Sequence, residues 1–281
     1  MARKYKVAAV QMTSTADVEA NLQTALGLTE QAIEDGASLV VLPECFAYLG
    51  PEEGKFAIAE ELPSAATQSA ASFKSGPILD RCRALARSRN AELVLGGFYE
   101  KTSDPKRVRN ACVHIDAEGN VRAVYRKIHL FDVDLADGTS LRESAGVEAG
   151  TEVVVTDTAF GKLGLTVCYD LRFPELYRAL VDKGAIAVTV PAAFTLTTGK
   201  DHWHVLLRAR AIESQCYVIA AAQFGKHFGT RVSYGHALIC DPWGTVVAEC
   251  SDGPGYALAS IDHALIERVR AALPSLRHRK L

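Results

Sequence analysis

Apolar residues recur along this chain at two spacings, and the switch from one to the other marks out the elements. Residues 6–11 form a short apolar run that reads as a strand. Over residues 17–35, Val18, Leu22, Ala25, Leu26, Ala32 and Ile33 fall on one helical face, with Gly36 as a stop signal. Residues 38–42 are continuously apolar, as a strand buried on both faces would be. A second helix is predicted over 77–90, opened by Pro77, with Ile78, Cys82, Leu85 and Ala86 facing inward. A strand over 93–98 follows. Residues 109–127 then alternate and contain DAEGNV at 116–121, a hairpin signal.

The second half predicts strand 162–168, helix 174–183, strand 185–191, helix 201–214, strand 216–222, hairpin 234–249, strand 256–261 and helix 262–273, with Pro274 ending the last helix. DPWGTV at 241–246 shares the D-x-x-G-x-V pattern of the first hairpin. That pairing suggests two related halves, each a strand–helix series finished by a hairpin. No linker-like stretch divides the chain, so one α/β domain over 1–281 is expected, with helices covering two sheets. Residues 132–152 are the longest non-periodic region, and a loop of that length in a compact domain is often functional.

Composition narrows the classes. The 281 residues are 48% hydrophobic and 23% charged, which excludes a disordered, coiled-coil or collagen-like chain. A formal net charge of −2 argues against a general nucleic-acid binder. The basic residues 277–280 read as a solvated end. No apolar run approaches the roughly 20 residues that span a bilayer. The apolar stretch behind the basic N-terminus covers only residues 7–10, short of a signal-peptide core of about 7–15. A cytoplasmic protein with no membrane or nucleic-acid partner is expected. The seven cysteines are odd in number, widely spaced and without a CxxC pair. That argues against a disulfide framework or structural zinc and for reduced, mostly buried thiols.

Three predicted strands end in reactive residues: LVVLP delivers Glu44, VRAVYR delivers Lys127 and LGLTV delivers Cys168. Ligands bind outside the carboxyl ends of strands in α/β sheets, so the three groups are placed to converge. Cys168 is the candidate nucleophile. On a sharp turn, surrounding N–H groups would lower its pKa and bind an oxyanion. Glu44 is the candidate general base, a carboxyl that a dry pocket would raise toward neutrality. Lys127 would hold negative charge developing on a carbonyl oxygen. A Cys–His pairing with His129 or His236 stays open. His202 and His204 sit at i and i+2 in a predicted helix, where they do not share a face, which argues against a metal pair. There is no G-x-S-x-G elbow and no GxxxxGK[ST] loop.

Taken together, VVLPECF, YRKIHLFD and GLTVCYDLRFPELYR, with AAFTLTTGKDHWHVLLRARAIESQCYVIAAAQ and YGHALICDPWGTVVAE, make the chain resemble the nitrilase superfamily of carbon–nitrogen hydrolases over essentially its whole length. The resemblance implies a four-layer α-β-β-α sandwich, a homodimer or larger homo-oligomer, no cofactor and no metal. It implies a Glu–Lys–Cys triad of Glu44, Lys127 and Cys168. Glu143 in LRESAG matches a further family glutamate that orients the lysine and the substrate. The branch it resembles is that of nitrilase-like amidases acting on deaminated glutathione, beside the ω-amidases.

The implied reaction is hydrolysis of the ω-amide of a small carboxylate or α-keto acid to acid and ammonia through a thioester. Tyr169 would offer its backbone N–H to the oxyanion. Arg172 would take the substrate carboxylate with its planar fork, or else pair structurally with Asp170 or Glu175. Phe194 and Thr198 would line the pocket. The competing readings are another activity of the same superfamily (ω-amidase on α-ketoglutaramate, aliphatic amidase, carbamoylase or nitrilase) and a non-catalytic scaffold that kept the fold.

Overall fold

The computed structural model describes residues 5–63, 75–134 and 140–280. The basic N-terminal residues 1–4, and residues 135–139 of the long loop, lie outside the described residues.

The first half of the chain forms β1 (Tyr5–Met12), α1 (Val18–Glu34), β2 (Ala37–Val41), the short α2 (Gly54–Ile58), α3 (Pro77–Arg89), β3 (Glu92–Lys101), β4 (Val108–Ile115) and β5 (Val121–Arg126). A small antiparallel pair follows, β6 (Asp132–Asp134) with β7 (Ser140–Arg142). The second half forms β8 (Val155–Thr158), β9 (Gly161–Leu165), α4 (Pro174–Asp182), β10 (Ala187–Thr189), α5 (Leu196–Ser214), β11 (Tyr217–Ala220) and β12 (Ala222–Lys226). It ends with β13 (Val232–Tyr234), β14 (Leu238–Cys240), β15 (Val246–Glu249), β16 (Gly255–Ile261), α6 (His263–Ala272) and α7 (Ser275–His278).

Local chemistry fixes the helix ends. The Asp17 carboxylate accepts the Ala20 N–H at 3.0 Å, capping α1. Pro77 opens α3, and Asn90 closes it in the left-handed region at φ 50°.

One sheet runs β13-β12-β1-β2-β3-β4-β5, with β16 also on β1; the other runs β15-β14-β11-β10-β9-β8. The continuous apolar strands explain why the sheets stack. Val7, Ala9, Leu39 and Val41 face the second sheet, in a cluster with Leu163, Leu165, Val188 and Val190. Their neighbours Ala8, Val10, Val40 and Leu42 face Leu22 and Ala25 of α1 and Leu79 and Cys82 of α3. Each strand therefore buries both faces, worth about 1.5–3 kcal/mol per large side chain. On the far side, α4 and α5 cover the second sheet through Leu176, Leu180, Trp203 and Leu207. The layers run helix, sheet, sheet, helix.

The two halves are built alike. The order β1-β2-β3-β4-β5 in one sheet repeats as β9-β10-β11-β14-β15 in the other. The two D-x-x-G turns match bond for bond. In one, Asn120 N donates to Asp116 Oδ1 and Gly119 N to Asp116 O. In the other, Thr245 N donates to Asp241 Oδ1 and Gly244 N to Asp241 O. Gly119 and Gly244 lie at φ 79° and 85°, which explains the glycine in both.

Several boundaries depart from the pattern. The run 216–222 is two strands, because the chain leaves one sheet at Ala220 and joins the other at Ala222. Helix α5 starts at Leu196 rather than 201. Thr197, Thr198 and Gly199 are weak helix formers, but Gly199 is held beneath Tyr234, whose Cβ lies 2.3 Å from where an added Cβ would be. The region 132–152 holds the β6–β7 pair and a 3₁₀ turn at Glu143–Ala145. Strand β8 and helices α2 and α7 are too short to leave a periodic signal. The basic end is not wholly solvated: Arg279 pairs with Asp182 at 2.7 Å.

Candidate active site

Glu44 lies three residues beyond β2, Lys127 directly follows β5, and Cys168 lies three residues beyond β9. Cys168 does not end its strand; it opens a 3₁₀ turn, Cys168–Arg172, with a left-handed φ of 47°. Cys45, next to Glu44, is also left-handed, at φ 60°. Non-glycine residues rarely adopt this region, and such strain concentrates at functional sites. Both turns are anchored, that of Cys45 by Gln223 Nε2, which donates to Glu44 O at 3.0 Å. Cys168 N donates to Pro191 O at 2.9 Å. The fully buried Asp170 carboxylate accepts Val167 N–H at 2.9 Å and the Tyr125 hydroxyl at 2.7 Å.

The three side chains converge as expected, all buried on the wall of one cavity of about 970 Å³. Lys127 Nζ donates to Glu44 Oε1 at 2.9 Å and to Glu143 Oε2 at 2.8 Å. Ala193 N–H holds Glu44 Oε2 at 2.9 Å. Phe131 N–H fixes Glu143 Oε2 at 2.7 Å, which is how the long loop presents that carboxylate to the lysine.

The charges at rest differ from the sequence expectation. Burial raises the Glu44 carboxyl, but the Lys127 ammonium, with further help from the Cys168 thiol and Asn110, brings it below its ordinary value. Burial likewise disfavours the Lys127 ammonium, yet Glu143 and Glu44 hold it well above the usual lysine range. The Cys168 thiol is pushed well up by burial and then by the Glu44 charge, against the smaller opposing pull of Lys127. So Glu44 is an anion, Lys127 a cation and Cys168 a neutral thiol. The N–H groups of the turn do not outweigh desolvation and an adjacent carboxylate.

Tyr169, Arg172, Phe194 and Thr198 all line the cavity. The Tyr169 N–H has no hydrogen-bond partner among the described residues. Arg172 forms neither alternative ion pair. Its guanidinium lies over the Phe194 ring at 5.1 Å and meets His202 Nδ1 at 3.2 Å. Thr198 Oγ1 bonds Thr195 Oγ1 at 2.8 Å. The open histidine pairings do not reach the thiol: His129 Nδ1 goes to Asp170 at 2.7 Å, and His236 Nδ1 to Glu249 at 2.9 Å. His204 meets the same Glu249 oxygen at 2.8 Å, outside the cavity. All seven cysteines are buried and unpaired.

Three residues of the cavity wall escaped the sequence reading. Asn110 lies mid-strand in β4, with nothing local to mark it. Arg231 lines the cavity from the β12–β13 turn. Ala193 offers only backbone groups, although VPAAF at 190–194 mirrors LPECF at 42–46 across the internal repeat and marks the position.

Comparison with known proteins agrees with the geometry. The carbon–nitrogen hydrolase family model matches residues 6–271. The chain is 45% identical over 280 residues to the deaminated glutathione amidase of Bos taurus, covering 98% of this chain and 81% of that one. It is 44% identical to the enzyme of that name from Synechocystis sp., covering 99% and 98%. Among solved structures, Caenorhabditis elegans NitFhit superposes with a TM-score of 0.88 at 42% identity, over 99% of this chain and 65% of that longer fusion chain. Saccharomyces cerevisiae Nit3, a member of branch 10 of the nitrilase superfamily, gives 0.82 at 32% identity, over 97% and 95%.

Proposed function

Since the chain belongs to the carbon–nitrogen hydrolase family of the nitrilase superfamily, we propose that it is a cysteine-dependent amidase, one domain over residues 1–281, acting on deaminated glutathione or a similar ω-amide of an α-keto acid. The observation that carries this reading is the buried contact of Lys127 with both Glu44 and Glu143 on the cavity that also holds Cys168. A scaffold would have no use for two buried charges and a half-buried third held at a cavity wall, since burying charge is costly.

The chemistry follows from the resting charges. Glu44 takes the proton from the Cys168 thiol as the sulfur attacks the amide carbonyl. The negative charge moves onto the carbonyl oxygen, where the Lys127 ammonium and the free Tyr169 N–H receive it. As the intermediate collapses, Glu44 passes its proton to the departing nitrogen and leaves a thioester. Water enters, loses a proton to Glu44 and adds to the thioester, and the thiol leaves with that proton. Two modest barriers replace one high one. On a primary ω-amide the departing amine is ammonia. On deaminated glutathione it is the amino group of cysteinylglycine.

Arg172 binds the carboxylate of the acyl half, with Phe194 and Thr198 beside it. The compartment is the cytoplasm; no helix among the described residues is long and apolar enough to cross a membrane. The assembly is a homodimer, supported by apolar side chains left open on α5 and the β14–β15 hairpin: Val205, Ile212, Trp243 and Val247.

The deciding measurement is product release from deaminated glutathione, 2-oxoglutaramate, glutaramate and a simple nitrile, with Cys168→Ala as control. Appearance of 2-oxoglutarate from the first two substrates, lost in the control, is expected. Turnover of the nitrile alone, or turnover that survives Cys168→Ala, overturns the reading.

A further inference from the structure

The cavity wall carries five basic side chains among the described residues: Lys55, Lys127, Arg142, Arg172 and Arg231. Three of them are neutralised within the protein. Lys55 pairs with Glu52, Lys127 with Glu44 and Glu143, and Arg142 with Asp134. Arg172 and Arg231 have no carboxylate partner among the described residues. Arg231 is also incompletely bonded. Its Nη2 reaches only Ala193 O, at 3.4 Å, while its Nε is buried with no hydrogen-bond partner among the described residues. A buried donor left open costs about 1–3 kcal/mol, and more when charged, which an anion in the cavity would offset.

The backbone holds this arginine where it is. Arg231 N donates to Phe228 O at 2.8 Å, and His227 N donates to Arg231 O at 3.0 Å, closing the turn just before β13. The contact with Ala193 gives it a side of the site. Ala193 is the residue whose N–H holds Glu44 Oε2, and Glu44 delivers the proton to the leaving nitrogen. Arg172, by contrast, belongs to the nucleophile's own turn and stacks over Phe194.

We propose that Arg231 binds a carboxylate carried by the departing amine, so that the two unpaired arginines grip an amide with one carboxylate on each side of the scissile bond. This rests on the amidase reading above and deepens it. A primary ω-amide has a single carboxylate and leaves Arg231 idle. Deaminated glutathione has two, one on the 2-oxo acid and one on the terminal glycine. The site is therefore built for an N-substituted dicarboxylic amide in preference to a primary amide.

Three substrates with one acyl group test this: 2-oxoglutaramate, the 2-oxoglutaryl amide of cysteinylglycine, and that same compound with its glycine carboxyl capped as a carboxamide. In the wild type, kcat/KM is expected to be about 10- to 100-fold higher for the free dipeptide than for the capped one, the worth of a charge-assisted hydrogen bond. Arg231→Gln should erase that preference and leave 2-oxoglutaramate turnover within about 3-fold, which also reports an intact fold; Arg231→Lys should restore part of it. Arg172→Gln should lower all three alike. A wild type that turns over 2-oxoglutaramate without distinguishing free from capped dipeptide overturns the Arg231 assignment and leaves the amidase reading standing. So does an equal loss on all three in Arg231→Gln. A wild type that hydrolyses none of the three overturns the amidase reading and the assignment with it.

Discussion

Asn110 donates an amide hydrogen to Glu44 Oε1 at 2.9 Å, and the same nitrogen lies 3.0 Å from Glu143 Oε1. One side chain in the middle of β4 thus braces both carboxylates that flank Lys127. Asn110→Asp keeps the shape and replaces the donor with a third negative charge. Like charges at this distance cannot all stay ionised in a buried site, so the Glu44 carboxyl should rise. The expected result is a loss of about 100-fold or more in kcat, with KM changed far less, and an acid limb of the pH profile displaced upward. A loss of the folded protein without a shifted limb would mean that Asn110 only supports the fold.

The neutral thiol leads to a second, less intuitive expectation. Glu44 is held below its ordinary 4.5 and Lys127 well above 10.5, while Cys168 is pushed well above 9.0. Activity should therefore run flat from about pH 5 to 9 with no limb from thiol ionisation. Glu44→Gln removes the charge that helps hold the proton on sulfur, so the Cys168 pKa should fall even as turnover drops about 1,000-fold for want of a base. Ultraviolet thiolate titration of the variant checks the direction. Stability follows the same signs. Because the folded pKa of Glu44 is depressed, its contribution is full above 4.5 and lost as the pH falls through the lower folded value. Because that of Lys127 is raised, its contribution is full below 10.5 and lost as the pH climbs through the higher one. Melting temperatures of wild type and Glu44→Gln should thus converge at acid pH.

What the sequence revealed and what it withheld divide along physical lines. Strands buried on both faces, such as β1 and β2, advertise themselves as apolar runs, and the reactive residue just beyond each run is readable. The residues Glu44, Lys127 and Cys168 were legible for that reason, and Glu143 by resemblance. Asn110 and Ala193 were not, because one is a polar residue inside an alternating strand and the other contributes only its backbone. The direction of the pKa shifts was misread for a different reason. A dry pocket raises an isolated carboxyl, and a helical turn lowers an isolated thiol, but here the two sit against each other and against an ammonium. Only their mutual distances decide which effect wins.

The open apolar side chains on α5 and the β14–β15 hairpin carry a further expectation. Ile212 lies against Gly244 beside Trp243, and both Ile212 and Trp243 are about half exposed. Large exposed apolar side chains that lie together, as Ile212 and Trp243 do beside Gly244, commonly mark an interface. Ile212→Glu should convert a two-chain particle to a single chain in light-scattering chromatography, with the melting temperature of the monomer preserved within a few degrees. Wild-type protein that already elutes as one chain across a wide concentration range would remove the dimer from the proposed assembly.

Gly97 offers the last test, because it separates placement of Glu44 from strength of the fold. It lies in the irregular stretch of β3, at φ 61°, directly behind Glu44. A Cβ there would stand 2.3 Å from Cys45 N and 2.7 Å from Glu44 Cγ. Backbone cannot give way as a flexible side chain would, so Gly97→Ala must displace the turn that presents Glu44. The left-handed conformation adds about 1–2 kcal/mol of strain for any residue with a Cβ. Misplacing a catalytic group by about an ångström costs on the order of 100-fold. Gly253→Ala is the control, since Gly253 also has a positive φ, 100°, but nothing lies within 4 Å of the added methyl. The expected outcome is that both variants melt lower, while only Gly97→Ala loses about 100-fold in kcat/KM. Equal activity in the two would mean that the close approach of β3 is not what holds Glu44 against Lys127.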